Sequence, residues 1–508
     1  MGLQYTGRRR MPRFQKILIA NRGEIAVRVA RTCRAMGIPT AAVYSDADRG
    51  AFHVREADDA RFIGPAEPAQ SYLNIDALID AARASGCDAV HPGYGFLSQN
   101  GAFADAVSAA GLVFIGPPGD VHRRMGDKRA ARQLMVEAGV PVLPGYDGAD
   151  QSDAVLTAEA QRIGWPVLIK PARGGGGKGM HVVRQAGDLG AALAASRREA
   201  QGAFGDAALI LERFVEGPRH VEVQILADTH GTVVHVLERE CSIQRRHQKV
   251  VEETPSPALD GAARRALLEA GVAAARAASY VNAGTVEFLL APDGRFYFLE
   301  MNTRLQVEHP VTEMVTALDL VRLQIEIAAG ERLSLAPGDV AARGHAMECR
   351  IYAEDAEHGD LPSAGRIRHL AWPEGPGLRV DAGVAAGSEV TIHYDPLLAK
   401  VIALGRDRGE CIERLQSALA CTAILGVETN LARLQGVLAH PVFRRGALDT
   451  GFLETYDADL RVDGAVPPEA IAAAVAALAV APAAAERGGE AEGASDPWTA
   501  LGPWRLGA

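Results

Sequence analysis

Two carboxylates, Glu287 and Glu300, flank an Asp293-Gly294 pair in the stretch EFLLAPDGRFYFLEMN. Asp-Gly between two apolar runs is a hairpin signal. A two-residue turn there predicts that Glu287 and Glu300 lie directly opposite each other, with Cβ atoms about 5 Å apart. Carboxylates so close repel unless a cation sits between them. From Glu300 to Glu308 the polar residues Glu300, Asn302, Arg304, Gln306 and Glu308 alternate with Met301, Thr303, Leu305 and Val307. This predicts a strand with one polar and one mostly apolar face. Hard oxygen ligands at one end of that face suit Mg2+, which favours carboxylates together with phosphates and water.

A second group lies in CSIQRRHQKVVEETPSP, Cys241 to Pro257, where Arg245, Arg246, His247 and Lys249 crowd together in a chain of net charge -10. His247 and Lys249 share a parity, so an extended backbone aims both at one face, where they could hold an anion. A third is RGGGGKGM, Arg173 to Met180. It lacks the GK[ST] ending of a Walker loop and does not open a helix as a dinucleotide fingerprint would. Glycines strung between two strands instead offer bare backbone N–H groups to phosphates and the freedom to close over them. Lys170, at the end of the preceding strand, adds a cation. The three groups together read as an enzyme acting on a nucleoside triphosphate: a glycine flap and lysines on the phosphates, paired glutamates on magnesium, and a small second anion held near Lys249.

Elements must position these residues. KILIANRGEIAVRVARTCRAMGIPTAAVYS reads strand, turn, helix, strand, and CDAVHPGYGFLSQN repeats the grammar with a strand ending at His91. Such units predict a doubly wound parallel sheet with ligand loops at its carboxyl edge. RRMGDKRAARQLMVEAGVPVLPGY predicts a helix starting near Asp127 and stopped by Gly139 and Pro141. The length of 508 residues suggests roughly three domains. The acidic balance argues against a nucleic-acid binder, and no apolar run reaches the roughly 20 residues of a membrane helix. Six scattered cysteines without a CxxC pair suit free thiols in a reducing compartment, so a cytoplasmic location is expected. Only six of the 53 basic residues are lysines, and three of them, Lys170, Lys178 and Lys249, fall in or beside the glycine-rich and positive groups, with Lys128 at the start of the helix after Asp127. A lysine kept where arginine is the default cation points to a site preferring a compact ammonium.

ANRGEIAVRV, HPGYGFLS, IKPARGGGGKGM, EGPRHVEVQ, CSIQRRHQKVVEE, EMNTRLQVEHPVTE and GHAMECRIYAED, in this order, resemble the biotin carboxylase component of biotin-dependent carboxylases, members of the ATP-grasp superfamily. The resemblance covers Lys16 to about Leu453. It implies an α/β protein with an N-terminal doubly wound domain over 11–125, a central ATP-grasp domain over 126–343 with a glycine-rich lid at about 142–211, a C-terminal α+β domain over 344–458, and a tail over 459–508. It implies that Lys128, Lys170, Gly176 and Gly177 meet ATP phosphates, that Glu212, Arg213, Phe214 and Val215 lie at the adenine, and that His220, Gln244 and His247 surround the ribose and phosphates. Glu287, Glu300 and Asn302 would hold Mg2+ or Mn2+. Bicarbonate would lie against Lys249, Arg304, Gln306 and Val307, with Glu308 as the base that prepares it to attack the γ-phosphate and form carboxyphosphate. Arg350 would stabilise the biotin enolate, and Tyr94 would line the biotin side.

No Met-Lys dipeptide occurs in the chain, so the biotin is expected on another domain or chain. The insertion GYDGADQ and the ending DPWTALGPWRLGA resemble α subunits of acyl-CoA carboxylases of the methylcrotonyl-, geranyl- or propionyl-CoA class. That implies a carrier domain, a carboxyltransferase β subunit, a homodimer or larger hetero-oligomer, and a middle region following the tail. Two other readings stay open from the residues: another ATP-grasp carbon–nitrogen ligase, or a catalytically silent nucleotide-binding scaffold.

Overall fold

The computed structural model describes residues 14–172, 179–246, 248–336, 338–356 and 358–461, which fall in one compact unit. Gly176, Gly177 and His247, like the DPWTALGPWRLGA ending, lie outside the described residues.

Five parallel strands open the chain: β1 (Ile17–Ile19), β2 (Thr40–Ser45), β3 (Asp59–Gly64), β4 (Ala89–His91) and β5 (Val113–Phe114), in the order β3-β2-β1-β4-β5. Ile17 and Ile19 join one buried cluster with Ile25 and Val29 of the helix Gly23–Met36, while Leu18 joins another with Val43 and Phe103. The sheet is therefore covered on both faces, as a doubly wound architecture requires. The helix Lys128–Glu137 begins where expected: the Asp127 carboxylate accepts from the Arg129 and Ala130 N–H groups, and Gly139 leaves it at φ 72°.

A four-stranded sheet follows, β6 (Gly145–Tyr146), β7 (Val167–Pro171), β8 (His181–Val183) and β9 (Leu209–Arg213), ordered β6-β9-β7-β8. It has its own core with the helices Asp153–Ile163 and Leu189–Phe204, built on Leu156, Ile163, Val167, Ile169, Leu193 and Leu211. The GYDGADQ segment is tied into it, because Gln151 accepts from the Leu209 N–H and donates to the Leu209 carbonyl.

The largest sheet has eight antiparallel strands. It contains β10 (Arg219–Ala227), β11 (Val233–Arg245), β12 (Gln248–Thr254), β13 (Asn282–Leu290), β14 (Phe296–Asn302), β15 (His345–Tyr352), and then strands Leu378–Ala382 and Leu397–Gly405. Its order runs β14-β13-β10-β11-β12-β15, then Leu397–Gly405, then Leu378–Ala382. The pairing of β12 with β15 carries the sheet straight across residue 344. On one side Val221, Val223, Ile225, Val286 and Phe288 pack with Leu267, Leu268 and Ala274 of the helix Gly261–Ala277. The opposite side of β10 carries His220, Glu222 and Gln224, all buried, and a buried polar face of this kind is costly unless every group finds a partner. The six cysteines are free thiols, and all but Cys421 are buried. Among the described residues no helix is long and apolar enough to cross a membrane.

Candidate active site

Glu287 and Glu300 do lie directly opposite on β13 and β14, but by a different route from the two-residue turn. Ala291 and Arg295 close a longer loop, with Gly294 at φ 83°, so Leu290 pairs with Phe296 and Phe288 with Phe298. A bulge at Leu299 then shifts the register by one and brings Glu300 back opposite Glu287. The row continues across the sheet: Glu287 pairs with Glu222 on β10, and Glu222 with Arg239 on β11. The next row holds Asn302, Thr285 and Gln224. The expected strand from Glu300 to Glu308 stops at Asn302, and Met301, Asn302, Thr303, Leu305, Gln306 and Glu308 are all buried. Alternation there reflects a loop packed on all sides, not a half-solvated strand.

The positive cluster also divides. β11 ends at Arg245 and the chain turns at Arg246, φ 48°, so the stretch is a hairpin and not one extended segment. Arg245 points away to Glu354 and Asp360. Lys249 alone of the described cations in that cluster enters the carboxylate row, and it is the hub. Its Nζ donates to Glu222 at 2.6 Å, Glu287 at 2.8 Å and Glu308 at 2.6 Å. An ammonium has three donors, so all three are taken.

Each carboxylate has further partners. Glu287 accepts from Asn302 Nδ2 at 2.8 Å and faces His220 Nε2 at 3.0 Å. Glu222 is paired with the fully buried Arg239, which also donates to Gln224 Oε1, Thr312 Oγ1 and Thr285 Oγ1. Glu308 accepts from Arg350 at 2.9 Å, and Arg350 Nε donates to Glu252 at 2.6 Å. Arg304 donates to Gln306 Oε1 at 2.8 Å and lies 3.3 Å from Asn302 Oδ1. Lys400 Nζ donates to the Val307 carbonyl at 2.7 Å and pairs with Glu24 at 3.1 Å, which fixes the loop before Glu308. Tyr94 sits with its ring 5.9 Å from that ammonium and is partly buried against the core around Ile25.

These contacts set the protonation states. Burial alone would raise the Glu308 carboxyl, but Lys249, Arg350 and Arg239 outweigh it and hold the group well below the usual carboxylate range. Glu287 is likewise pulled well down against burial by Lys249 and His220. Glu300 goes the other way, pushed up by burial and by the Glu287 charge. Lys249 is held protonated against burial by its three carboxylates.

Beside this network opens a cleft of about 170 Å3, lined by Lys128, Lys170, Glu212, Glu300 and Asn302 among others. Lys170 pairs with Glu212 at 2.5 Å. The Lys128 ammonium is pushed down by burial and by Lys170. The cleft thus brings the two lysines together with two carboxylates, one of which, Glu212, is paired with Lys170. Of the remaining expected residues, Arg213, Phe214 and Val215 follow Glu212 out of β9, and Gln244 pairs in register with Lys249. Glu222, Arg239, Glu252 and Lys400 were not among the expected site residues. The strict alternation of HVEVQ was the available signal for Glu222, and the scarcity of lysine was the one for Lys400.

The family profile described as Biotin carboxylase, N-terminal domain, matches residues 13–121. Carbamoyl-phosphate synthase L chain, ATP binding domain, matches 127–336, and Biotin carboxylase C-terminal domain matches 348–455. The mitochondrial methylcrotonoyl-CoA carboxylase subunit alpha of Dictyostelium discoideum is 46% identical over 493 residues, 97% of this chain and 70% of that protein. The biotin carboxylase of Halalkalibacterium halodurans is 50% identical over 445 residues, 87% of this chain and 98% of that protein. The biotin carboxylase domain dimer of Hydrogenobacter thermophilus 2-oxoglutarate carboxylase, solved with MgADP, ADP and bicarbonate, superposes with a TM-score of 0.84. It is 42% identical and covers 88% of this chain and 99% of that one. The architecture is that of an ATP-grasp α/β enzyme. Within that class, the chain belongs to the biotin carboxylase family. It spans 61–70% of the length of methylcrotonoyl-CoA carboxylase α subunits.

Proposed function

We infer that this chain carries out ATP- and bicarbonate-dependent carboxylation of biotin borne on a carrier domain, as the biotin carboxylase part of an acyl-CoA carboxylase α subunit. The observation that carries the reading is the Lys249 hub joining Glu287, which accepts from the cleft residue Asn302, to Glu308. The cations Lys128 and Lys170 suit the phosphates of ATP. Glu287, Glu300 and Asn302 suit Mg2+: they are hard oxygen donors on neighbouring strands, with Glu300 directly opposite Glu287. A bound Mg2+ would neutralise phosphate oxygens there.

Because all three Lys249 donors are engaged, a bicarbonate reaching it between Arg304 and Gln306 must displace one carboxylate. Releasing Glu308 restores its basicity at the moment a proton has to be removed from that anion, since Lys249 is the largest of the charges depressing it. Arg304 and the freed ammonium donor then offset the charge of two anions brought together. Arg350, which donates to the Glu308 oxygen that Lys249 does not hold, is proposed to meet the ureido oxygen of biotin. We propose that Tyr94 stiffens this side through Lys400, and that Glu212 to Val215, His220, Gln244, His247, Gly176 and Gly177 complete the nucleotide site. The segments 11–125, 126–343, 344–458 and 459–508 are proposed as the domains and tail. A biotin carrier domain, a carboxyltransferase β subunit and a second copy of the chain are the proposed partners. The cytoplasm is the proposed location, supported by the free thiols.

Incubation with Mg-ATP, bicarbonate and free biotin is expected to release phosphate in a biotin-stimulated manner. Nucleotide bound without such release overturns the reading, and release driven by ammonia or an amine instead of biotin assigns a different ligase. Glu300→Gln is expected to weaken Mg-ATP binding on the order of tenfold. The same change leaves the metal-free protein at least as stable, because it removes a like-charge contact; isothermal titration and thermal unfolding measure the two effects.

A further inference from the structure

Behind Arg350 lies a pair of acids that the carboxylation reading leaves without a task. Glu252 on β12 and Glu348 on β15 are directly opposed in the strand register, and neither is accessible to solvent. Glu252 spends one oxygen on Arg350. Its Oε2, and both carboxyl oxygens of Glu348, are buried with no hydrogen-bond partner among the described residues. Three buried acceptor oxygens without a donor, on two residues directly opposed across neighbouring strands, are relieved by a single proton, because closely placed buried carboxylates resist ionising together.

We propose that Glu252 and Glu348 hold one proton between them and act as a positioning pair for Arg350, with Glu348 carrying the proton and Glu252 the charge that fixes the guanidinium against Glu308. This rests on the carboxylation reading for its consequence, though not for its geometry. The charged groups around the pair come from four elements. Arg350 lies on β15, Lys249 on β12, Lys400 on Leu397–Gly405, and Glu308 just before the helix His309–Thr316. Lys249 is committed to three carboxylates, while Lys400 holds Glu24 and the Val307 carbonyl and is the largest positive charge acting on Glu348, without a hydrogen bond to either of its oxygens. Cys241, Cys349 and Tyr352 complete the surroundings as neutral groups, each pushed up by burial. Burial is also the main cause lifting Glu348 well above the carboxylate range and Glu252 to about 7. Of the two, Glu252 is the one in contact with a guanidinium, which is why the charge is assigned to it.

Infrared difference spectra between the full wild-type chain and Glu348→Gln at pH 7 test the proton directly. The wild type is expected to show a protonated-carboxyl C=O stretch that Glu348→Gln lacks, and identical spectra overturn the proposal. Glu252→Gln tests the positioning. It is expected to lower kcat with free biotin on the order of tenfold, the value of one charge-assisted hydrogen bond, while KM for ATP stays within about twofold. The acidic limb of its pH profile moves down, since removing the Glu252 charge leaves Glu308 more strongly depressed, and Glu252→Asp recovers part of the rate. Wild-type kcat and an unmoved profile in Glu252→Gln overturn the proposal. Absence of biotin-stimulated turnover in the wild type would count against the carboxylation reading alone, because the infrared comparison still decides the proton.

Discussion

Replacing Lys249 with methionine is expected to abolish biotin-stimulated turnover and to reverse the way stability depends on pH. In the wild type, Glu287 and Glu308 have folded-state values below their unfolded ones. They therefore contribute stability that is fully present above the unfolded carboxylate range and is lost only as pH falls through the depressed values. Lys249→Met leaves Glu222, Glu287 and Glu308 buried within reach of one another, with Arg239, His220 and Arg350 as their remaining cations. Removing one partner of a buried ionic network costs about 3–5 kcal/mol. The carboxylates then rise above their unfolded values, the folded state binds the extra proton, and stability falls as pH rises. Denaturant unfolding from pH 5 to pH 8 is the measurement. The variant should be closest to the wild type at pH 5 and furthest from it at pH 8. A curve parallel to the wild type would mean that the ammonium is not what holds these acids ionised.

The legible part of this site was the part whose geometry is local. Glu287 and Glu300 are separated by one hairpin, and side-chain alternation alone puts them on a shared face whichever turn is used, provided any extra residue in the loop is matched by a bulge. Leu299 is that residue. The same logic overreached beyond Asn302, because alternating polarity does not distinguish a strand from a loop whose polar groups are all buried against partners. Lys249 was legible as a cation with a purpose, but its role as a hub was not. That role depends on β10 and β12 being brought to either side of β11 and on β13 pairing with β10. Arg239, Glu252 and Glu348 carry no local mark either, and the alternation around Glu222 marks a face without naming its partners. Each is a charged residue within a buried strand, satisfied or left unsatisfied by residues up to about a hundred positions away. The doubly wound opening was readable for the opposite reason: its strands, turns and helices alternate within stretches of about thirty residues, and each helix packs on the strands that flank it.

Glu308→Gln separates the two jobs that the network gives this residue. The amide oxygen can still accept from Lys249 or Arg350, so the volume and part of the hydrogen bonding survive, at a cost of about 1–3 kcal/mol for the lost charge-assisted bond. What the amide cannot do is take a proton. If Glu308 prepares bicarbonate, turnover falls by about 10²–10⁴, the range a positioned base supplies. Binding of Mg-ATP, whose proposed contacts lie at Lys128, Lys170, Glu287 and Glu300, stays within about twofold. The pH profile adds an independent reading. The wild type should lose activity on the acidic side as the released Glu308 becomes protonated, and that limb should vanish in the variant's residual rate. Should Glu308→Gln turn over at the wild-type rate with the limb unchanged, the proton is taken elsewhere. The strong depression of Glu308 by Lys249, Arg350 and Arg239 would then be purely structural, a buried anion holding β12, β15 and the loop before His309 together.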